Sequence, residues 1–207
     1  MVRHRNRHHR RPSPHRTFLI ALIGALGGVL AVYIALLAAD LHARSSSASF
    51  AGLSDQQGRL LTDSALGDRY KLLFFGYAQC PDVCPTALAR IHAVMNMLGP
   101  GGSRLTPLFV TLDAAADSPQ VLAGYTAAFD SRIVGLSGDS QHLDALTRAY
   151  GVYAARHADS NDIARFDHSA QIYLLAPDNS VLARYPPNEA TERMAADVSR
   201  RLKAWSR

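Results

Sequence analysis

Lys71-Leu72-Leu73-Phe74-Phe75-Gly76, followed at once by Tyr77-Ala78-Gln79-Cys80-Pro81-Asp82-Val83-Cys84-Pro85, decides how the rest of the chain is read. The first six residues form an apolar run of buried-strand length. From Pro85 to Leu98, the residues Leu88, Ile91, Val94, Met95 and Leu98 fall on one helical face, and Gly99-Pro100-Gly101-Gly102 ends that pattern. Cys80 and Cys84, the two cysteines of the chain, therefore sit where a strand turns into a helix, with Pro85 suited to the helix's first position.

Working outward, Pro107–Leu112 reads as a second strand. Ser118–Phe129 reads as a helix with Pro119 in its first turn, and Ser140–Tyr150 as another. Gln171–Leu175 and Val181–Tyr185 flank Pro177-Asp178-Asn179-Ser180, a hairpin turn, and Asn188–Trp205 closes the chain as a helix. Phe50–Thr62 reads as a hairpin centred on Gly58. Strand-helix alternation predicts a parallel core sheet covered by helices, and the late hairpin adds an antiparallel edge. The expected class is α/β, with a layout similar to the thioredoxin-like fold and an N-terminal β-hairpin extension. No internal repeat is present.

Before that domain the sequence changes character. Residues 1–16 carry six arginines, four histidines and no acid, and the first acid of the chain is Asp40. The net charge of +5 belongs to this tail, since the remainder holds 16 basic against 17 acidic residues; a basic nucleic-acid face is excluded. Residues 17–39 run 23 positions without a charge. As a helix they would span roughly 34 Å, enough to cross a hydrocarbon core. A cleaved signal peptide is the competing reading, but its apolar region is ordinarily shorter. The expected organisation is a cytoplasmic tail (1–16), a single transmembrane helix in contact with lipid (17–39), a serine-rich linker (40–48) and an outward-facing domain (49–207). A bacterial inner membrane, with the domain in the periplasm, is the expected location. Gly24 and Gly28 form a GxxxG pair that offers a homodimer contact between such helices.

In an oxidising compartment the plain reading of two cysteines is a structural disulfide. A bridge enclosing so few residues constrains the unfolded chain very little. A helix start favours negative charge, so thiolates there are stabilised and reactive. Two such thiolates exchange disulfides or hold a metal. Soft sulfur selects Cu(I), whereas a closed zinc site wants four protein ligands. An imidazole is the natural third ligand, and the candidates are His42, His92, His142, His157 and His168. His42 lies in the linker, and His92 two turns into the helix, on a side facing away from the thiols. His142 stands near another helix start, and His157 in a polar loop. His168, in Asp167-His168-Ser169 just before a core strand, is best placed, because the loop entering that strand faces the cysteine loop in a thioredoxin-like sheet.

Phe74-Phe75-Gly76-Tyr77 followed by Cys80-Pro81-Asp82-Val83-Cys84-Pro85 closely resembles the signature of the Sco/SenC family. The likeness extends over most of Phe50–Tyr185, including Leu108–Asp113, Asp117-Ser118-Pro119, Tyr150-Gly151-Val152-Tyr153 and Asp167-His168-Ser169. It implies a thioredoxin-like domain that binds a copper ion through Cys80, Cys84 and His168. It also implies receipt of copper from a donor chaperone, and delivery to the dinuclear site in subunit II of cytochrome c oxidase or maintenance of that site's thiols. Ala114-Ala115-Ala116 stand where the family pattern has Pro-Glu-Arg.

Copper chaperone is the leading expectation. A thiol-disulfide oxidoreductase would use Cys80 and Cys84 as a redox pair without needing His168, and thioredoxin-type motifs place two residues between the cysteines rather than three. A redox sensor is a third reading. A peroxidase similar to the peroxiredoxins would carry Thr or Ser three residues before the reactive cysteine, where this chain has Tyr77.

Overall fold

The computed structural model describes residues 27–34, 36, 48–62, 64–158 and 164–204. It divides into two compact units, Met1–Ser46 and Ser47–Arg207. In the first, residues 27–34 are helical, and Val29, Leu30, Val32, Tyr33, Ile34 and Leu36 are exposed. No described helix is long and apolar enough to cross a membrane. Most of the expected span over 17–39, with the tail 1–16, Gly24 and His42, lies outside the described residues.

The second unit runs β1 (Ser54–Asp55), β2 (Tyr70–Gly76), α1 (Val83–Leu98), a 3₁₀ turn (Gly99–Arg104), β3 (Leu105–Thr111), α2 (Pro119–Ala127), β4 (Val134–Ser137) and α3 (Ser140–Tyr150). It continues with β5 (Ala154–Ala158), β6 (Ala164–His168), β7 (Ile172–Leu175), β8 (Val181–Tyr185) and α4 (Thr191–Ala204). Six strands form one sheet in the order β1-β4-β3-β2-β7-β8. β2, β3 and β4 are mutually parallel, and β1, β7 and β8 are antiparallel to their neighbours. β5 and β6 pair only with each other, as a separate two-stranded ribbon. The fold is the mixed α/β, thioredoxin-like one expected.

β2 occupies the middle of the sheet, and all seven of its residues are buried. Side chains alternate across a strand, so Leu72 and Phe74 join the core under α1, α2 and α4, while Leu73 and Phe75 join the opposite core with Leu143, Leu146 and Tyr150 of α3. A strand buried on both faces reads as a continuous apolar run, which is why this segment was legible. The N-terminal hairpin closes over Gly58, at φ +76°, with Asp55 N–H donating to the Arg59 carbonyl at 3.0 Å. Phe50, Leu53 and Leu61 of that extension pack into the α3-side core.

Three expectations need correction. α1 begins at Val83 rather than Pro85, so Cys84 lies inside its first turn, where proline costs no hydrogen bond because the first N–H groups have no helical partner. β4 was not anticipated. Its four residues Val134-Gly135-Leu136-Ser137 are too few and too weakly patterned, and its edge is recognised by a side chain, Gln56, which accepts from Gly135 N–H at 2.7 Å and donates to the Ile133 carbonyl at 3.3 Å. The polar stretch assigned to a loop around His157 contains β5, and His168 ends β6 rather than lying in a loop.

Candidate metal and thiol site

Gly76 ends β2, and its carbonyl accepts from Leu112 N–H at 2.7 Å just beyond β3. The chain then turns sharply, with Cys80 N–H donating to the Tyr77 carbonyl at 3.1 Å. A buried carboxylate holds this turn from beneath. Asp117 Oδ2 accepts from Ala78 N–H at 3.0 Å and from the Thr111 hydroxyl at 2.5 Å. Burial pushes the Asp117 carboxyl up, and the two donors oppose that shift.

Asp82 then takes the N-cap position of α1 without a side-chain bond to the first turn, and the N–H of Cys84 points at Cys80 Sγ, 3.4 Å away. Cys84 is fully buried and Cys80 nearly so, and both are free thiols. Cys84 Sγ packs on Gly76, where an added Cβ would stand 2.7 Å from the sulfur, 3.0 Å from Phe109 and 3.1 Å from Phe74. The glycine thus makes room for the thiol.

His168 arrives from the other side, at the end of the ribbon. Its ring meets Phe74 and Tyr77 edge-on, with centroids 5.9 and 6.1 Å away. Nδ1 lies 3.1 Å from the Ser169 carbonyl, which only accepts, so Nδ1 carries the proton. Nε2 is left with its lone pair 3.5 Å from Cys84 Sγ. Fixing one ring nitrogen to present the other is how proteins orient a ligating imidazole. The three ligand atoms lie within 4.8 Å of one another, and they make up the one such cluster of three or more His, Cys, Asp or Glu among the described residues.

The two thiols differ in charge state. A hydrogen bond from the Cys84 thiol, assisted by the Cys84 and Asp82 N–H groups, holds the Cys80 thiol well below its ordinary pKa against the cost of burial. The same hydrogen bond, with burial, pushes the Cys84 thiol up. The pair is therefore one thiolate and one thiol at neutral pH, and the remaining proton faces two acceptors, Cys80 Sγ and His168 Nε2.

The other described histidines have local partners. His92 Nδ1 donates to Asp130 at 2.9 Å while Nε2 accepts from Asn96 at 2.8 Å, His142 Nδ1 lies 2.8 Å from Asp139, and His157 Nε2 lies 3.0 Å from Asp167. Sequence reasoning missed the Asp117 brace, the Phe74–Tyr77 ring clamp and the function of Gly76. A glycine inside an otherwise aromatic strand was the one available signal for close approach.

Residues 40–203 match the family model described as SCO1/SenC. The chain belongs to the SCO1/SenC family. Protein SenC of Rhodobacter capsulatus is 35% identical over 156 residues, covering 74% of this chain and 70% of that protein. The mitochondrial SCO2 homolog of Bos taurus is 31% identical over 205 residues, covering 92% and 76%. The structure of Bradyrhizobium japonicum ScoI with copper bound has a TM-score of 0.66 and 34% identity, covering 72% of this chain and 94% of that one. Ala114-Ala115-Ala116 lie between two buried aspartates. These residues are exposed on a turn closed by Ala116 and Asp117 N–H donating to the Asp113 carbonyl at 3.2 and 2.8 Å, with the flanking Asp113 and Asp117 buried. The alanines therefore stand apart from the Asp117 contacts that support the cysteine turn.

Proposed function

We propose that this protein is a copper chaperone. It takes one copper ion on Cys80, Cys84 and His168 and passes it by ligand exchange to the dinuclear copper site of cytochrome c oxidase subunit II. The observation that carries this is the convergence of two sulfurs and an imidazole nitrogen within 4.8 Å, brought together from the strand–helix junction and the end of the ribbon. Soft sulfur with one imidazole suits Cu(I), and the ScoI relative was solved with copper bound. Copper is cargo here, so a shallow site with one partly exposed ligand, His168, suits transfer better than a closed cage.

The reading places the domain outside a bacterial inner membrane, anchored by residues 17–39 with the arginine-rich tail in the cytoplasm. The uncharged run and the exposed apolar side chains at 29–36 support it. The test is copper stoichiometry of the reduced full-length chain in detergent, beside His168→Ala. One tightly held copper in the parent and much weaker binding in the variant is the expected result. Equal binding in both would leave a dithiol with incidental affinity for copper.

The asymmetry of the thiols favours thiol-disulfide exchange as a second reading, since Cys80 is an ionised nucleophile with a resolving thiol beside it. That role survives loss of His168, so the same variant separates the two.

A further inference from the structure

Between α3 and the β5–β6 ribbon runs a groove of about 470 Å³. Leu112, Leu143 and Phe166 give it an apolar floor, and Arg148, Arg156 and the exposed Tyr153 stand on its rim. The rim arginines are set apart from most others on this domain. Arg59, Arg132, Arg193, Arg200 and Arg201 each pair with a carboxylate, and Arg69, Arg90 and Arg104 donate to backbone carbonyls. The guanidinium groups of Arg148 and Arg156, both exposed, have neither an ion pair nor a hydrogen bond among the described residues. Asp144 is the single carboxylate among the described residues of the rim, so those residues carry a positive excess.

Its position matters as much as its charge. Phe166 stacks against Tyr77 at 5.4 Å, and Tyr77 meets the His168 ring at 6.1 Å. On the same side Tyr153 N–H donates to the Ser169 hydroxyl, and Ser169 N–H donates to the Tyr153 carbonyl, each at 3.0 Å. Whatever occupies the groove lies two aromatic rings, Phe166 and Tyr77, from the imidazole and touches the ribbon that carries it.

We infer that this groove docks an acidic segment of the copper-accepting protein, with Arg148 and Arg156 meeting its carboxylates and the apolar floor taking a neighbouring side chain. The inference rests on the proposed function and names the surface through which it operates. Rim charges of this kind set association rate and salt dependence rather than the chemistry of the site.

The test uses the full-length chain in detergent and the purified copper-binding domain of subunit II as probe. The double variant R148E/R156E should hold the same copper as the parent. Its association rate with the probe should fall about tenfold or more at low salt and lose most of its salt dependence, while R148K/R156K should keep most of the parent rate. Parent-like association by the charge-reversed variant overturns the groove as the docking surface. Sedimentation of the chain alone covers the other occupant: self-association abolished by R148E/R156E would assign the groove to a second copy and overturn the inference as well. A parent that holds no copper, or never passes it to the probe, removes the proposed function first, whereas equal copper transfer by parent and variant removes the groove alone.

Discussion

Cys84 Sγ rests against the bare Cα of Gly76, so closely that a methyl group there would sit 2.7 Å from the sulfur. Gly76→Ala should therefore displace the thiol or push apart Phe74 and Phe109, at a cost of about 1–3 kcal/mol, the usual range for overpacking. Thermal or denaturant unfolding reads the stability loss. Copper titration should reveal weaker binding even though no proposed ligand is altered.

Metal uptake should release about one proton per ion at neutral pH. The Cys80 thiol is held low and the Cys84 thiol pushed up, so Cys84 is the sulfur that must give up its proton to a metal. Calorimetry in buffers of different ionisation enthalpy measures this number, and two protons would contradict the thiolate–thiol assignment. The thiolate absorbance of the reduced, metal-free protein should persist well below neutral pH and disappear in Cys80→Ser.

Asp117→Ala should loosen the cysteine turn. It orphans the Ala78 N–H and the Thr111 hydroxyl, which are buried against one carboxylate oxygen. An unsatisfied buried donor costs about 1–3 kcal/mol, and faster amide exchange at Ala78 would locate the loss. Asp117→Asn keeps one acceptor oxygen, so it should cost less.

Asp130 should contribute to acid sensitivity. Hydrogen bonds from Arg132, with a further one from His92, hold its carboxyl well below the usual carboxylate range. A folded-state value below the unfolded one gives stability that is present above about pH 4 and lost as pH falls further. Asp130→Asn should destabilise the protein at neutral pH and flatten the decline in stability on acidification, as followed by urea midpoints across pH.

The parts of this fold that could be read in advance were those whose physics is local. β2 announces itself because both of its faces are buried, and α2 and α3 because Ser118 and Asp139 cap them. β4 could not be read, since a four-residue strand with a glycine owes its existence to β3 and Gln56 rather than to its own pattern. The ribbon was hidden for the same reason: Ala154-Ala155-Arg156-His157-Ala158 has no apolar alternation, and cross-strand pairing alone defines it. The cysteines and His168 were legible as chemistry-bearing residues. The tautomer of His168, the inequality of the thiols and the buried Asp117 under the turn depend on long-range contacts that no spacing encodes.

The ribbon is bonded to no strand of the main sheet, and His168 is its last residue. The candidate ligands therefore come from two parts of one compact unit that no backbone ladder ties together, the sulfurs from the strand–helix junction and the imidazole from the end of the ribbon, held against each other by the Phe166–Tyr77 and His168–Phe74 ring contacts. An ion bound by both would add a cross-link between those parts and stabilise their packed arrangement by mass action. Releasing it would then cost ring contacts rather than rungs of the main sheet.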